Sequence, residues 1–282
     1  MRLPVLALLA VIGCYRPNPP DGVACSTSGA CPDPLTCVLG TCVAHATDGP
    51  VAGSDGSGSA CDAIATGAGL LTAPLVSSPL AIDGDLSDWP TCFVTLTTAT
   101  AGLVRDLGAA GNFPSGRFSV AADATHLYIG AQVDGVLPLG DEPPPDVYQN
   151  NAISVYIDGD GMIGSAIYDS DAEQIVVDHA DQEQAFHSGS LATLTNLASA
   201  ARTDGSTFTI ELAVEPSTFG LVTFGSTIGF DIGIVAGDGS AMSSELVWFQ
   251  RCAAPDCGCS NGDAAPYCDA REFGSLVIRP DH

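Results

Sequence analysis

Asp146–Asp158 reads Asp-Val-Tyr-Gln-Asn-Asn-Ala-Ile-Ser-Val-Tyr-Ile-Asp. Its second half alternates. Ile153, Val155 and Ile157 fall on one side, and Ser154, Tyr156 and Asp158 on the other. Successive side chains of a strand point to opposite faces, so this period of two predicts a half-buried β-strand. Just before it stand an aromatic and a polar cluster: Tyr148, Gln149, Asn150 and Asn151.

The same pattern recurs outward from this stretch. Phe118 and Val120 alternate with Ser119 and Ala121, and Leu127, Ile129, Ala131 and Val133 with Tyr128, Gly130 and Gln132. Downstream, Phe208, Ile210, Leu212 and Val214 alternate with Thr209, Glu211 and Ala213. Phe230, Ile232 and Ile234 alternate with Asp231, Gly233 and Val235. Asp134-Gly135, Asp158-Gly159, Asp204-Gly205 and Asp238-Gly239 separate these runs. They are turn signals, because Gly tolerates positive φ and Asp bonds its own neighbouring backbone. No capped helical stretch competes, although Leu191–Ala201 has room for a short helix. Many strands with polar turns and no βα alternation predict an all-β fold, an antiparallel two-sheet β-sandwich of jelly-roll or immunoglobulin-like kind. Upstream, Ile82–Pro90 reads Ile-Asp-Gly-Asp-Leu-Ser-Asp-Trp-Pro. Asp83-Gly84 predicts a turn, and Trp89 a large ring returned to a core.

The N-terminal part is of another kind. Met1–Gly13 carries Arg2 and then the apolar run Leu3–Ile12. That is too short for a bilayer span of about 20 residues, and it reads as a secretory signal. It ends Ala10-Val11-Ile12-Gly13-Cys14, which resembles a bacterial lipobox. The resemblance implies a lipidated Cys14 and an exported, membrane-anchored lipoprotein at the bacterial envelope or cell surface. An ordinary signal peptide, or an apolar N-terminus with an incidental Cys, is the plainer alternative. Residues 14–24 form a tether with Pro17, Pro19 and Pro20, 25–44 a Cys-rich module, 45–60 a Gly/Ser/Asp linker, and 61–282 the sandwich.

The chain has 11 Cys. Setting Cys14 aside leaves the even set that a disulfide framework needs, in keeping with export. Cys25, Cys31, Cys37 and Cys42 fall within a stretch too short for a core of its own. Two disulfides, each contributing ~2–4 kcal/mol, would hold it. Zinc is the competing reading, but no Cys-x2-Cys pair occurs and His45 stands alone. Cys61, Cys92, Cys252, Cys257, Cys259 and Cys268 would form three further disulfides.

Formal net charge is −25, and all 8 basic residues are Arg. No basic patch exists to neutralise phosphates, which argues against nucleic acid and against peripheral binding to anionic lipid. No G-x-S-x-G elbow, H-E-x-x-H or P-loop is present, and the 5 His are scattered. The chain therefore reads as non-catalytic.

Taken in order, five features resemble the family 9 carbohydrate-binding modules over Pro74–Ile278. They are Asp83-Gly84 with Trp89, Tyr148–Asp158, Phe208–Pro216, Ile228–Asp238 followed by Trp248, and the closing strand Phe273–Ile278. The resemblance implies a non-catalytic sandwich for plant- or cell-wall-type polysaccharide. A pyranose ring would lie between two aromatic faces, with polar side chains reaching its hydroxyls. Tyr148 stands where the family has a stacking Trp, and Trp248 is the candidate facing ring. Gln149, Asn150 and Asn151 are candidate polar contacts. The resemblance also implies structural calcium, with Asp158, Asp160, Asp169 and Asp171, and Asp238 beyond them, as oxygen donors. Asp158-x-Asp160 opens like an EF-hand loop, but Ile163 stands where that loop needs Gly. Ser154 replaces a family Glu, and Asn151 replaces an acid. These departures keep open a structural or adhesion scaffold that has lost sugar binding. Related DOMON-type sandwiches hold haem through Met, His or Lys. Here Lys and Cys-x-x-Cys-His are absent, while Met162, Met242 and the His remain as ligands for that third reading.

Overall fold

A computed structural model of the chain describes residues 23–24, 35–38, 41–44, 69–90, 92–109, 111–159, 172–187, 190–219, 221, 223–224, 227–250 and 270–278. The chain forms two units, Met1–Ser57 and Gly58–His282. In the first, β1 (Val23–Ala24), β2 (Leu35–Val38) and β3 (Thr41–Ala44) make an antiparallel sheet in the order β1-β3-β2. Cys37 and Cys42 are register partners across β2 and β3. Cys25 and Cys31 lie outside the described residues.

The strands of the second unit are β4 (Leu70–Ala73), β5 (Val94–Leu96), β6 (Leu103–Asp106), β7 (Ser115–Ala122), β8 (Leu127–Asp134), β9 (Ala152–Asp158) and β10 (Ala172–Asp178). Then follow β11 (Glu183–His187), β12 (Ser190–Ala192), β13 (Leu197–Asp204), β14 (Thr207–Val214), β15 (Thr227–Gly237), β16 (Met242–Val247) and β17 (Gly274–Ile278). No α-helix occurs among the described residues. The larger sheet has 9 strands and runs β12-β11-β10-β9-β15-β16-β6, with β17 beside β15 and β4 beside β17. β16 pairs the C-terminal half of β15 and β17 its N-terminal half. β4 lies parallel on β17. The smaller sheet has 5 strands in the order β13-β14-β8-β7-β5, all antiparallel.

The two inner faces supply the main core. Ile153, Val155 and Ile157 of β9 and Phe230, Ile232 and Ile234 of β15 join Phe118, Val120, Ile129, Val133, Phe208, Ile210 and Leu212 of the smaller sheet. These are the residues that the period of two assigns to one face. Burial of each such side chain contributes roughly 1.5–3 kcal/mol, which makes this contiguous cluster the main stabilising element.

Two expectations need correction. Leu191–Ala201 is not helical. It holds β12 and the start of β13, because pairing with β11 and β14 satisfies its backbone while Leu194, Leu197 and Ala201 pack on the core. The central strands of the larger sheet are not half-buried: every residue of β9, and every residue of β15 after Thr227, is buried. On the outer face Ala152 packs with Val147, Tyr148 and Met242, and Tyr156 with Ala270 and Phe273. Trp89 is buried in a core, as expected: it packs in a small cluster with Ala121, Tyr128 and Ala213 on the outer face of the smaller sheet. The expected turn is there, with Gly84 at φ +81°, a conformation that Gly adopts at no steric cost.

Cys92 is buried and disulfide-bonded. Cys61, Cys252, Cys257, Cys259 and Cys268 lie outside the described residues.

Candidate functional site

The outer face of the larger sheet has a hollow, because its central side chains are small. In register across it stand Val176, Ser154 and Gly233, flanked by Ala152 and Val235. A Cβ on Gly233 would come within 2.6 Å of Glu245 Oε1. The missing side chain lets Glu245 lie across β15 and reach β9. The resulting cavity of about 310 Å³ is lined by Tyr148, Ser154, Tyr156, Gln174, Phe186, Met242 and Glu245. That is the lower end of the range for small-molecule sites, which are typically apolar with a few placed polar groups.

The floor is polar and tied together. Arg105 Nη1 donates to Glu245 Oε2 at 2.5 Å, and both side chains are buried. The Tyr156 hydroxyl donates to Glu245 Oε1 at 3.0 Å. Gln174 Nε2 lies 3.4 Å from Tyr156 Oη and 3.5 Å from Ser154 Oγ. Beside Tyr156 in the register is Asp231, fully buried. Its Oδ1 accepts from the backbone N–H of Ile232 and Phe249 at 2.8 and 3.2 Å. Burial holds its carboxyl well above the usual range, those two bonds oppose the shift, and the charges of Glu245 and Glu272 add to it.

The rim is aromatic and apolar. Tyr148 sits on the single turn Val147–Gln149 just before β9. Its ring meets Phe186 of β11 edge-on, with centroids 6.1 Å apart and planes at 69°. Tyr148, Phe186 and Met242 pack together on Val147, Ala152, Val176 and Val235. The Val147–Gln149 turn is pinned on several sides. Val147 N–H donates to Gln184 Oε1 at 2.9 Å, and Gln149 C=O accepts from Gly239 N–H at 3.0 Å. Gln149 Nε2 lies 3.3 Å from Tyr148 Oη.

The residues expected to bind divide. Tyr148 lines the cavity, and Gln149 stands beside it. Asn150 and Asn151 are fully buried and committed to the loops. Asn150 Nδ2 donates to Asp178 Oδ2 at 2.7 Å and to Glu142 C=O at 2.8 Å, and its Oδ1 accepts from Glu142 N–H. Asn151 Nδ2 donates to Gly237 C=O at 2.6 Å, and its Oδ1 accepts from Val136 N–H at 3.0 Å. They hold the loop that presents Tyr148 and have no amide left for a ligand. Trp248 does not face Tyr148. Its ring meets Phe118 at 6.1 Å and 71° inside the core. Strand parity explains this: Leu246 and Trp248 point inward, so Glu245 and Val247 point to the hollow side. Phe186, not Trp248, is the ring beside Tyr148, and it meets Tyr148 edge-on rather than face to face.

Glu245, Gln174, Tyr156, Phe186 and Met242 were not singled out from sequence as sugar contacts. Parity with Ser154 would have found Tyr156. The others come from strands whose order the sequence does not state. Met242 lines the cavity by its side chain, and Met162 lies outside the described residues. Of the candidate calcium ligands, Asp158 is buried at the end of β9, and Asp238 is exposed in the turn before β16. There Asp238 Oδ1 accepts from Ser240 and Ala241. Asp160, Asp169 and Asp171 lie outside the described residues. Among the described residues no group of three or more His, Cys, Asp or Glu is placed to hold a metal.

The hollow thus has an apolar rim over a hydrogen-bonding floor. Solved structures show the same fold. A carbohydrate binding module family 9 from Caldicellulosiruptor kristjanssonii, in complex with glucose, superposes with a TM-score of 0.57 at 14% identity, covering 76% of this chain and 97% of that one. The module in complex with cellotriose gives a TM-score of 0.56 at 14% identity, covering 76% of this chain and 95% of that one. No curated protein matches the sequence. The family described as "Carbohydrate family 9 binding domain-like" matches residues 82–279, and the chain belongs to that family.

Proposed function

We propose that the hollow between Tyr148, Phe186 and the Tyr156–Glu245 floor binds a sugar ring, and that the domain is a non-catalytic carbohydrate-binding module. One observation carries this: a rim of aromatic side chains stands over hydroxyl, amide and carboxylate groups in a cavity of about 310 Å³. Sugar C–H faces pack on aromatic surface, and sugar hydroxyls pair with such floor groups. The relatives bound to glucose and cellotriose support a saccharide partner. Calorimetric titration of the full chain with cello- and xylo-oligosaccharides tests the proposal. Heat that saturates at millimolar sugar or below supports it, and no heat with any glycan refutes it.

Ser154 and the fully engaged Asn150 and Asn151 favour a second reading, a scaffold that has lost its ligand. Absence of binding in the same titration would support that alternative.

The same proposal makes the protein an exported lipoprotein anchored through Cys14, with the Cys-rich segment disulfide-bonded and displayed on a tether. The Gly13-Cys14 sequence and the even set of remaining Cys support this. A Cys14→Ser variant would then leave the membrane fraction. A structural calcium ion near Asp158, Asp160, Asp169 and Asp171 completes the proposal, supported by their carboxylate chemistry. Chelation would lower Tm, and added calcium would restore it.

A further inference from the structure

The polar groups of the floor are not equally open to a ligand. Ser154, Tyr156 and Glu245 are 2%, 0% and 1% exposed. The amide of Gln174, on β10, reaches both Tyr156 Oη and Ser154 Oγ, and Gln174 itself is only half-buried. A ligand entering the hollow therefore meets Gln174 before any other polar group of the floor.

Hydrogen-bond accounting decides which end of that amide is left over. The chain of bonds starts at Arg105 of β6, which does not line the cavity. A guanidinium has donors and no acceptor, so Glu245 Oε2 accepts from Arg105 Nη1. The Tyr156 hydroxyl gives its single proton to Glu245 Oε1 at 3.0 Å. Tyr156 Oη then has only lone pairs to offer Gln174. The amide atom that stands 3.4 Å from it is accordingly the donor Nε2, because the oxygen and nitrogen of an amide are told apart by such a network. The reverse amide would set Oε1 against those lone pairs. As it stands, Gln174 Oε1 has no hydrogen-bond partner among the described residues.

We infer that Gln174 is the polar contact that determines specificity in the hollow, that it offers a ligand its carbonyl oxygen, and that Arg105 is a positioning residue which sets this polarity through Glu245 and Tyr156. The inference rests on the sugar-binding role proposed above, but not on how the sugar is turned. Whichever position meets Gln174 must donate. It is a free hydroxyl, not an ether oxygen, a carboxylate or a halogen. A site built to pair with a hydroxyl rejects the analogue that lacks it, because its own polar group is left unpaired.

The test is NMR titration of the full chain with D-glucose, D-galactose and D-xylose and with each of their monodeoxyfluoro analogues, in which fluorine replaces one hydroxyl and cannot donate. For a sugar that binds, one position should lose about tenfold or more in affinity on fluorination. Gln174→Met should reduce that dependence to about twofold. Tyr156→Phe keeps Gln174 and removes no exposed group, yet it should reduce the same dependence, because nothing then fixes the amide. Arg105→Met should act like Tyr156→Phe, and Arg105→Lys, which still supplies Glu245 with a cation, should keep the dependence. Tyr156→Phe reads the relay even if Arg105→Met does not fold. If sugars bind but fluorination costs nothing, or Gln174→Met keeps the wild-type pattern, the sugar site stands and the role of Gln174 is wrong. If Tyr156→Phe keeps the wild-type pattern, the positioning role of Arg105 is wrong. If none of the sugars binds, the sugar-binding role fails and this inference fails with it.

Discussion

The indole Nε1 of Trp89 donates to Glu211 Oε1 at 2.5 Å, across 122 residues of sequence. The other oxygen of the same carboxylate accepts from the backbone N–H of Asp83 at 2.7 Å and of Gly84 at 2.5 Å. One buried side chain of β14 therefore clamps the Ile82–Pro90 turn onto the outer face of the smaller sheet. Burial raises the Glu211 carboxyl, and these three donors pull it back only in part. A Glu211→Ala variant leaves three donors without an acceptor. Two of them, Trp89 Nε1 and Gly84 N–H, are buried; each unsatisfied buried group costs about 1–3 kcal/mol, so the loss should reach about 2 kcal/mol or more in urea unfolding. An unchanged urea midpoint would mean that the clamp contributes nothing.

Arg105 and Glu245 are a buried pair beneath the proposed site, in direct register across β6 and β16. Removing one partner of such a pair leaves an uncompensated charge, typically at a cost of about 3–5 kcal/mol. Arg105→Met should lose stability on that scale. The double replacement Arg105→Met with Glu245→Met should recover most of it. A double variant as unstable as the single one would contradict this picture of the pair.

Two carboxyls make stability depend on pH with opposite signs. Burial acts to raise Asp123, but hydrogen bonds from Tyr128, Thr125 and His126 outweigh it and leave the group at about 2, below the ordinary 3.8. Its contribution is present above the unfolded value and is lost as pH falls toward 2. Asp231 is raised by burial. Its contribution is present below about pH 4 and is lost as pH rises through its folded value. Asp123→Asn should therefore be destabilised at neutral pH, with the deficit shrinking toward pH 2. Asp231→Asn should match the wild type near pH 4 and become the more stable of the two as pH rises. Chemical denaturation at several pH values checks both, and parallel pH curves for wild type and variant would refute either assignment.

The alternation around Ile153, Ile129, Ile210 and Ile232 made the sandwich legible, because a strand's period is a local property. The site was only partly legible, because it depends on which strands are neighbours. Tyr148 stood out beside the strand it precedes. Phe186, Gln174 and Glu245 meet it only through the order β11-β10-β9-β15-β16. Trp248 misled because an aromatic near a strand end suits either face. Its parity with Leu246 decides for the core. Asn150 and Asn151 looked free for a ligand because Glu142, Val136, Gly237 and Asp178, which engage them, lie on other loops and strands.

The central claim is that sugar binds at Tyr148 and not at Trp248. It is tested most directly by titrating wild type, Tyr148→Ala and Trp248→Phe with whichever saccharide the wild type binds, while recording affinity and backbone amide shifts. The expected result is an affinity loss of about tenfold for Tyr148→Ala, equal to ~1.4 kcal/mol. Trp248→Phe should keep its affinity, with some loss of stability. Shifts in the wild type should centre on Ser154, Tyr156, Gln174 and Glu245. Equal binding by wild type and Tyr148→Ala, or shifts that leave those four residues unmoved, would contradict the account.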